Sequence, residues 1–189
     1  MKIKLLYAPI DPANIIGEAA AICYDADTSH GANVRRATSC KDRGHLAVMR
    51  FAYATFAISG ISRVCSHQLV RIAHAGLLQE SQRYVKQSRI EHVIPPAVRN
   101  ASAALYNDWL AALEQTEALY HRAISEGVRK EDARYILTQG CTTKVNMCLN
   151  FQAWQDFLRN RTDKAAQWEI RELALEIERQ LHRVAPELF

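Results

Sequence analysis

The densest group of chemically capable side chains lies in two short stretches, SHQLVR and QESQRY. Gln68 and Arg71 are three residues apart on a predicted helix, so the spacing places them on one face. Ser81 and Arg83 are two apart, and in an extended loop both would point to the same side. Arginine forks together with neutral amide and hydroxyl groups can surround a phosphate. The alternative is a polar surface with ordinary ion pairs, and spacing alone does not separate the two.

Two further clusters combine charged side chains with flanking apolar residues, EDAR at 131–134 and RNR at 159–161. Apolar neighbours can hold an arginine against the protein surface. The alternative is that these charges serve as helix caps and solvated faces, which is the usual role of charge at helix ends. On spacing alone the alternative is favoured, so neither cluster defines a site by itself.

Other familiar site patterns do not occur in the sequence. His45 and His67 have no histidine or carboxylate partner at metal-ligand spacing, so no metal site is expected. There is no GxGxxG motif and no P-loop motif, which leaves a Rossmann cofactor loop without support. Cys65 is close to His67 in sequence, but helix neighbours point apart, so we interpret Cys65 as a small core residue.

The composition is that of a soluble globular protein, with 189 residues of which 23% are charged. The formal charge of +4 suits an anionic small ligand and gives no reason to expect nucleic acid. No stretch approaches the roughly 20 apolar residues of a membrane span, and no signal-peptide core is present. Five cysteines form no CxxC pair and leave one over in any disulfide scheme, so we expect reduced thiols in the cytoplasm.

Hydrophobic periodicity and turn residues predict one α+β domain over residues 1–189, with helices around a small antiparallel sheet. The segments at 27–36 and 72–84 are predicted loops, the second of them passing a ligand. The predicted strands are 2–7, 51–59 and 142–149, and the predicted helices are 11–22, 61–71, 97–126, 130–137, 151–160 and 166–184. The residues expected on the buried side of the longest helix are Leu105, Trp109, Ala112, Leu113, Leu119 and Tyr120.

In this order and spacing, the motifs of the chain resemble the flavin-dependent thymidylate synthases over almost its whole length. The matching stretches are GHLAV, ISGISRVCSHQLVR, QESQRYV, the turn after Ile94, EDARYIL and AQWEIRELA. The resemblance implies methylation of dUMP at C5 to dTMP, with methylenetetrahydrofolate as carbon donor, FADH2 as reductant and NADPH to regenerate it. It also implies a homotetramer, an α+β fold, and no cysteine that attacks the pyrimidine.

The resemblance assigns binding roles to residues in each cluster. The residues matching family positions around the nucleotide are Gln68, Arg71, Gln79, Ser81, Arg83, Arg134 and Arg161. Arg134 matches an arginine that contacts the uracil, and Arg161 matches the one thought to favour ionisation of uracil N3. A fixed guanidinium stabilises a developing anion and lowers the pKa of the group that ionises, which gives Arg161 a catalytic role. Ser81 is interpreted as a binding hydroxyl, because no nearby base is evident to activate it.

The flavin signature departs from the family pattern. The residues at its cofactor positions are Arg71, Ile72, Ala73, Gln79, Asn150 and Asp156, and His74, two residues from the missing histidine, is expected to compensate in part. Ile72 and Ala73 replace a histidine and an arginine, while Gln152 replaces an arginine. Near the start, Arg50-Phe51 replaces a glutamate-histidine pair. Two alternatives therefore stay open: a homologue that modifies another pyrimidine nucleotide, for example by hydroxymethylation, and a nucleotide-binding paralogue without flavin catalysis.

Overall fold

The computed structural model describes all residues from Met1 to Phe189. Its strands are β1 (Lys2–Tyr7), β2 (Tyr53–Ser62), β3 (Gly76–Gln79) and β4 (Thr142–Asn150). Its α-helices are α1 (Pro12–Ala21), α2 (His30–Asp42), α3 (Arg63–Leu69), α4 (Pro96–Arg99), α5 (Ala103–Ser125), α6 (Lys130–Ala133), α7 (Phe151–Arg161) and α8 (Trp168–Val184). No helix is both long and apolar enough to pass through a lipid bilayer.

The four strands form one sheet in the order β1-β2-β4-β3, which confirms the predicted α+β class with a small antiparallel sheet. The main-chain nitrogen of Phe151 donates to the carbonyl of Ala52, and that of Arg63 to the carbonyl of Cys141. From one end of the pairing to the other, positions rise from Ala52 to Arg63 on the β2 side and fall from Phe151 to Cys141 on the β4 side, so the two strands run antiparallel.

The chain divides into two compact units. The first comprises residues 1–58, 70–78 and 146–189, and the second comprises residues 59–69 and 79–145.

The core of the first unit is centred on Trp154 of α7. Its ring meets Phe56 edge to face at a centroid distance of 5.1 Å, and its Nε1 donates to the carbonyl of Ala54 at 3.1 Å. Helix α8 turns a wholly buried apolar stripe inward, with Ile170, Leu173, Ala174, Ile177 and Leu181 at helical spacing. Trp154 thus fixes α7, the helix that carries Asp156 and Arg161, to strand β2.

Helices α1 and α2 pack closely in the first unit, and the predicted loop at 27–36 is wrong because α2 begins at His30. The contact depends on Gly17, where an added Cβ would lie 1.9 Å from the carbonyl oxygen of Asn33. The buried Asn33 amide donates to Asn14 and to the carbonyl of Thr28, both at 2.9 Å. Because α2 is polar, the sequence pattern does not predict a helix there, and packing against α1 stabilises it.

The core of the second unit surrounds Tyr120, with Ile90, Ala133 and Cys141 buried around it. The long helix begins at Ala103, where Ser102 caps it, and not at 97, because the turn of α4 intervenes. The predicted burial of its apolar residues holds for Tyr120 and is wrong for Leu105, Trp109 and Leu119, which are 49%, 40% and 39% exposed. Ala112 is also exposed and Leu113 is half-buried.

Part of the predicted loop at 72–84 is strand β3. Gly76 lies close to β4, because an added Cβ there would lie 3.3 Å from the Cβ of Cys148. The prediction that Cys65 is a core residue is confirmed, since Cys65 is fully buried.

Candidate active site

A cavity of about 600 Å³ opens in the first unit, between α7 and the loop that precedes β3. The loop contributes Arg71, Ile72 and Ala73, and one face of α7 contributes Ala153, Asp156, Phe157, Asn160 and Arg161. The spacings of three and four residues along α7 bring its contributors onto a single face. Five residues that the sequence singled out therefore line one cavity, although they come from segments about 80 residues apart.

The cavity carries more positive than negative charge. The guanidinium groups of Arg71 and Arg161 have no hydrogen bond or ion pair within the chain. The one carboxylate, Asp156, accepts a hydrogen bond from Arg159 Nη1 at 3.1 Å, which offsets its charge. Unpaired guanidinium groups beside an apolar wall of Ile72 and Phe157 suit an anionic ligand that carries a flat ring.

The start of α7 holds two more residues of interest. Asn150 is the N-cap of α7, and its Oδ1 accepts a hydrogen bond from the main-chain nitrogen of Ala153 at 2.8 Å. Gln152 Oε1 accepts a hydrogen bond from Arg50 Nε at 2.6 Å. The resemblance expects a glutamate at 50 and an arginine at 152, so both partners of this contact differ from the family pattern, and the guanidinium is at position 50. Sequence inspection detects both replacements but not that they touch.

In the second unit, Gln79 lies among hydroxyl groups. Its Nε2 donates to Ser66 Oγ at 2.9 Å and to Thr143 Oγ1 at 3.1 Å, and Ser66 Oγ donates to the carbonyl of Arg63. Both amide hydrogens are used, so Oε1 is left as the acceptor that Gln79 presents to a ligand. The sequence analysis does not single out Ser66 or Thr143 as a site residue. Ser66 lies inside the SHQLVR stretch, so its position offers a signal. Thr143 offers none, because it is 64 positions from Gln79 and no local pattern connects the two.

Arg83 and Arg134 both contact Glu131 in the second unit, and the Ser81 hydroxyl accepts a hydrogen bond from the main-chain nitrogen of Arg83 at 3.2 Å. Arg83 Nε donates to Glu131 Oε2 at 2.9 Å, and Arg134 Nε donates to the main-chain carbonyl of Glu131 at 3.1 Å. The hydrogen bond from Arg83, followed by its charge, holds the pKa of the Glu131 carboxyl below its usual range. The main-chain nitrogen of Val85 donates to the carbonyl of Ser81, so this segment is a turn and the expected extended loop is wrong.

The expectation that Gln68 and Arg71 share a helix face is also wrong. Helix α3 ends at Leu69, and the chain turns until His74 takes a left-handed conformation with φ 62°. Gln68 is therefore half-buried in the second unit, while Arg71 lies on the cavity wall of the first. His74 is exposed and is not among the residues lining that cavity.

Comparison with known proteins identifies relatives along the whole chain. The family described as "Thymidylate synthase complementing protein" matches residues 4–187. A "Flavin-dependent thymidylate synthase" of Clostridium tetani (strain Massachusetts / E88) is 32% identical over 215 aligned residues, covering 100% of this chain and 85% of the relative. A protein of the same name from Geobacter sulfurreducens is 35% identical over 199 residues, again covering 100% and 85%.

A further relative of this name, from Pyrococcus furiosus, is 41% identical over 135 residues. That match covers 69% of this chain and 55% of the relative. The chain belongs to the thymidylate synthase complementing protein family. The family resemblance inferred from the motifs is thereby confirmed.

Proposed function

We propose that this protein is a flavin-dependent thymidylate synthase that methylates dUMP at C5 to give dTMP. Methylenetetrahydrofolate would supply the carbon, FADH2 the reducing equivalents, and NADPH the regeneration of FADH2. The observation that carries the proposal is the cavity of the first unit, where the unpaired guanidinium groups of Arg71 and Arg161 face a common space. The names of the Clostridium and Geobacter relatives agree with it.

Arg161 is the proposed catalytic residue. A fixed guanidinium beside uracil would lower the pKa of N3 and favour the anion, which makes C5 a stronger carbon nucleophile. Arginine suits this role better than lysine, because it keeps its proton and presents a planar fork of donors. Arg161 lies in the last turn of α7. Trp154 anchors this helix to the sheet, so the backbone that carries the Arg161 side chain is held in place.

The remaining nucleotide contacts are proposed for Gln68, Arg71, Gln79, Ser81, Arg83 and Arg134. Gln79 would accept a hydrogen bond from a ring N–H, since its own amide hydrogens are held by Ser66 and Thr143. Arg83 donates to Glu131 through Nε alone, so its two terminal nitrogens would be available to donate to a phosphate oxygen.

The cavity residues fit a flavin cofactor in their chemistry. Flavin adenine dinucleotide combines a diphosphate with flat rings, and the cavity offers the Arg71 guanidinium beside an apolar wall of Ile72 and Phe157. Arg71, Ile72, Ala73 and Asp156 would hold the cofactor, and Asn150, which caps the start of α7, Gln79 and His74 complete the proposed set. When bound, the reduced cofactor supplies the hydride that converts the transferred methylene into a methyl group. The Arg50 guanidinium, held by Gln152, would replace the positive charge missing from position 152.

A specific observation favours a second candidate, a homologue that does not carry out the flavin-dependent reduction. Ile72 and Ala73 line the cavity where the resemblance expects a histidine and an arginine. A charge-assisted hydrogen bond contributes about 1.5–3 kcal/mol, so losing two weakens cofactor binding severely unless other groups compensate. A homologue that transfers the one-carbon unit without the reduction would leave a hydroxymethyl group. A nucleotide-binding paralogue without catalysis would leave the pyrimidine unchanged.

Cofactor and nucleotide binding can be tested on the purified protein. The proposal expects a yellow protein with flavin absorbance, and calorimetric binding of dUMP. A colourless protein that binds dUMP but fails to bind added FAD would overturn the flavin-dependent function and favour the second candidate. We further propose that residues 1–189 act as a single functional domain in a cytoplasmic homotetramer, which rests on family membership.

A further inference from the structure

The side chain of Gln79 is held by two buried hydroxyl groups of the second unit. Its Nε2 donates to Ser66 Oγ of α3 at 2.9 Å and to Thr143 Oγ1 of β4 at 3.1 Å. Ser66 and Thr143 are buried, whereas Gln79 itself is only half-buried. The nitrogen of the side-chain amide therefore points into the protein, and its oxygen is the end that a ligand can reach.

The hydrogen of the Ser66 hydroxyl selects this orientation of the amide. A serine hydroxyl carries one hydrogen, and Ser66 Oγ donates it to the main-chain carbonyl of Arg63 at 3.1 Å. Towards Gln79, the Ser66 hydroxyl is therefore an acceptor. A flipped amide would set Oε1 of Gln79 against an oxygen with no hydrogen to give, and an unpaired buried acceptor is unfavourable. Ser66 thus selects against the flipped amide.

The main chain next to Gln79 is held by the same two elements. The main-chain nitrogen of Glu80 donates to the carbonyl of Lys144 on β4 at 2.9 Å. Arg63 Nη2, at the start of α3, donates to the carbonyl of Glu80 at 3.0 Å. An ion pair also joins Lys144 Nζ to Glu80 Oε1 at 3.1 Å. Because α3 and β4 hold both the backbone beside Gln79 and its amide nitrogen, the position of Oε1 is restricted.

We propose that Ser66 and Thr143 are positioning residues, which hold the Gln79 amide so that it presents one acceptor to the ring N–H of a cyclic imide. The inference rests on the proposed function, because the uracil of dUMP and the flavin ring each carry one N–H between two carbonyl groups. A ring with a lone pair at that position, as in cytosine, would set it against the lone pairs of Oε1 and bind less tightly. A neutral amide also opposes negative charge on the ring less than a carboxylate would.

The first test is a double-mutant cycle on ligand binding. Calorimetry gives the dissociation constant of dUMP, and the recovery of flavin fluorescence on dilution gives that of FAD. Thr143→Val and Ser66→Ala each remove one hydroxyl with little change of shape, and we expect each to weaken binding of the contacted ligand about three- to tenfold. Thr143→Ser should restore the wild-type affinity. In a Gln79→Ala background, Thr143→Val should change the constant by less than about twofold. The ligand that responds identifies the source of the imide.

The second test addresses the ring N–H, using dUMP or FAD methylated at the imide nitrogen. The wild-type protein should bind the methylated ligand at least about tenfold more weakly than the natural one. That difference should be smaller in Thr143→Val. The matched control is Thr142→Val, because successive side chains of β4 point to opposite faces, and it should leave the dissociation constants unchanged. Thermal unfolding by circular dichroism confirms that each variant is folded.

Three results would overturn the inference alone. Unchanged affinity of Thr143→Val for both ligands would show that its hydroxyl does not act on the site. A loss of affinity that Thr143→Ser does not restore, or that persists in the Gln79→Ala background, would show that Thr143 does not act through Gln79. A wild-type protein that binds the methylated ligands as tightly as the natural ones would reject the ring N–H. Binding of neither dUMP nor FAD would instead reject the proposed function, and the inference with it.

Discussion

At the scale of single residues, the feature that most needs a ligand is the pair of guanidinium groups at Arg71 and Arg161. Both line the same cavity, and neither has a partner in the chain. By contrast, Arg159 on the same helix as Arg161 is paired with Asp156, and Arg83 of the second unit is paired with Glu131. Two unpaired like charges that face one space repel each other, and an anionic ligand would relieve that repulsion.

The first prediction concerns Arg161→Ala. Because the guanidinium stabilises charge that develops during reaction, we expect kcat for dTMP formation to fall by about 10²–10³-fold, with a smaller change in dUMP affinity. Steady-state kinetics and calorimetry measure the two effects. The control is Arg183→Ala on the exposed side of α8. Unchanged turnover in the Arg161 variant would remove this residue from the catalytic role.

The second prediction uses the contact between Arg50 and Gln152. Gln152→Arg sets two guanidinium groups against each other, and we expect the free energy of unfolding to fall by about 1 kcal/mol, or roughly 2–4 °C in Tm. Combining it with Arg50→Glu creates an ion pair with the reversed arrangement and should recover that loss. Thermal unfolding of the two single variants and the double variant measures the coupling. Strictly additive effects would mean that the two side chains do not interact in solution.

The third prediction is a pH dependence carried by His92 in the second unit. Burial lowers the pKa of its imidazole, with the charge of Glu117 opposing in part, and the buried Nε2 has no hydrogen-bond partner. The unfolded chain therefore binds this proton more readily than the folded chain does. Stability should fall as the pH drops from the ordinary histidine value through the lowered pKa of the folded state.

Denaturant unfolding across that pH range checks the prediction. In His92→Asn this part of the pH dependence should be missing, while His182→Asn, which changes an exposed histidine on α8, should retain it. An identical pH profile for His92→Asn and the wild type would contradict the assignment.

At the scale of elements, the strongly patterned segments could be predicted from the sequence. Strand β1, helix α1 with its Asp11 cap and helix α8 lie close to their expected positions, because each carries its own periodicity and end signals. Helix α2 and strand β3 could not be predicted. Both depend on a close approach to a distant segment, through Gly17 for α2 and Gly76 for β3, and such contacts leave no local pattern.

The fourth prediction tests the packing of α1 on α2. Gly17→Ala would place a Cβ 1.9 Å from a main-chain oxygen of Asn33, so the helices must separate. We expect a loss of about 1–3 kcal/mol in the free energy of unfolding. Gly31→Ala is the matched control, since its Cβ meets only the end of the flexible Arg35 side chain at 3.3 Å. That variant should be neutral or slightly stabilising, because alanine favours helix. A tolerated Gly17→Ala would contradict the close contact.

At the scale of the whole molecule, the chain passes repeatedly between its two units, and the family match at 4–187 extends across both. The sequence alone could identify the family, because the ordered motifs lie along the entire chain. It could not predict how the site residues group. Arg71 and Arg161 share a cavity, whereas Arg83 pairs with Glu131, and both groupings arise from tertiary contacts between distant segments.

The most direct test of the proposed function is the mass of the pyrimidine nucleotide produced. Purified protein is incubated with dUMP, methylenetetrahydrofolate, FAD and NADPH, and the product is analysed by mass spectrometry. We expect dTMP, with a methyl group at C5, formed by the flavin-loaded protein only when NADPH is present. A hydroxymethyl product or unchanged dUMP, from protein shown to be folded, would contradict the proposed function.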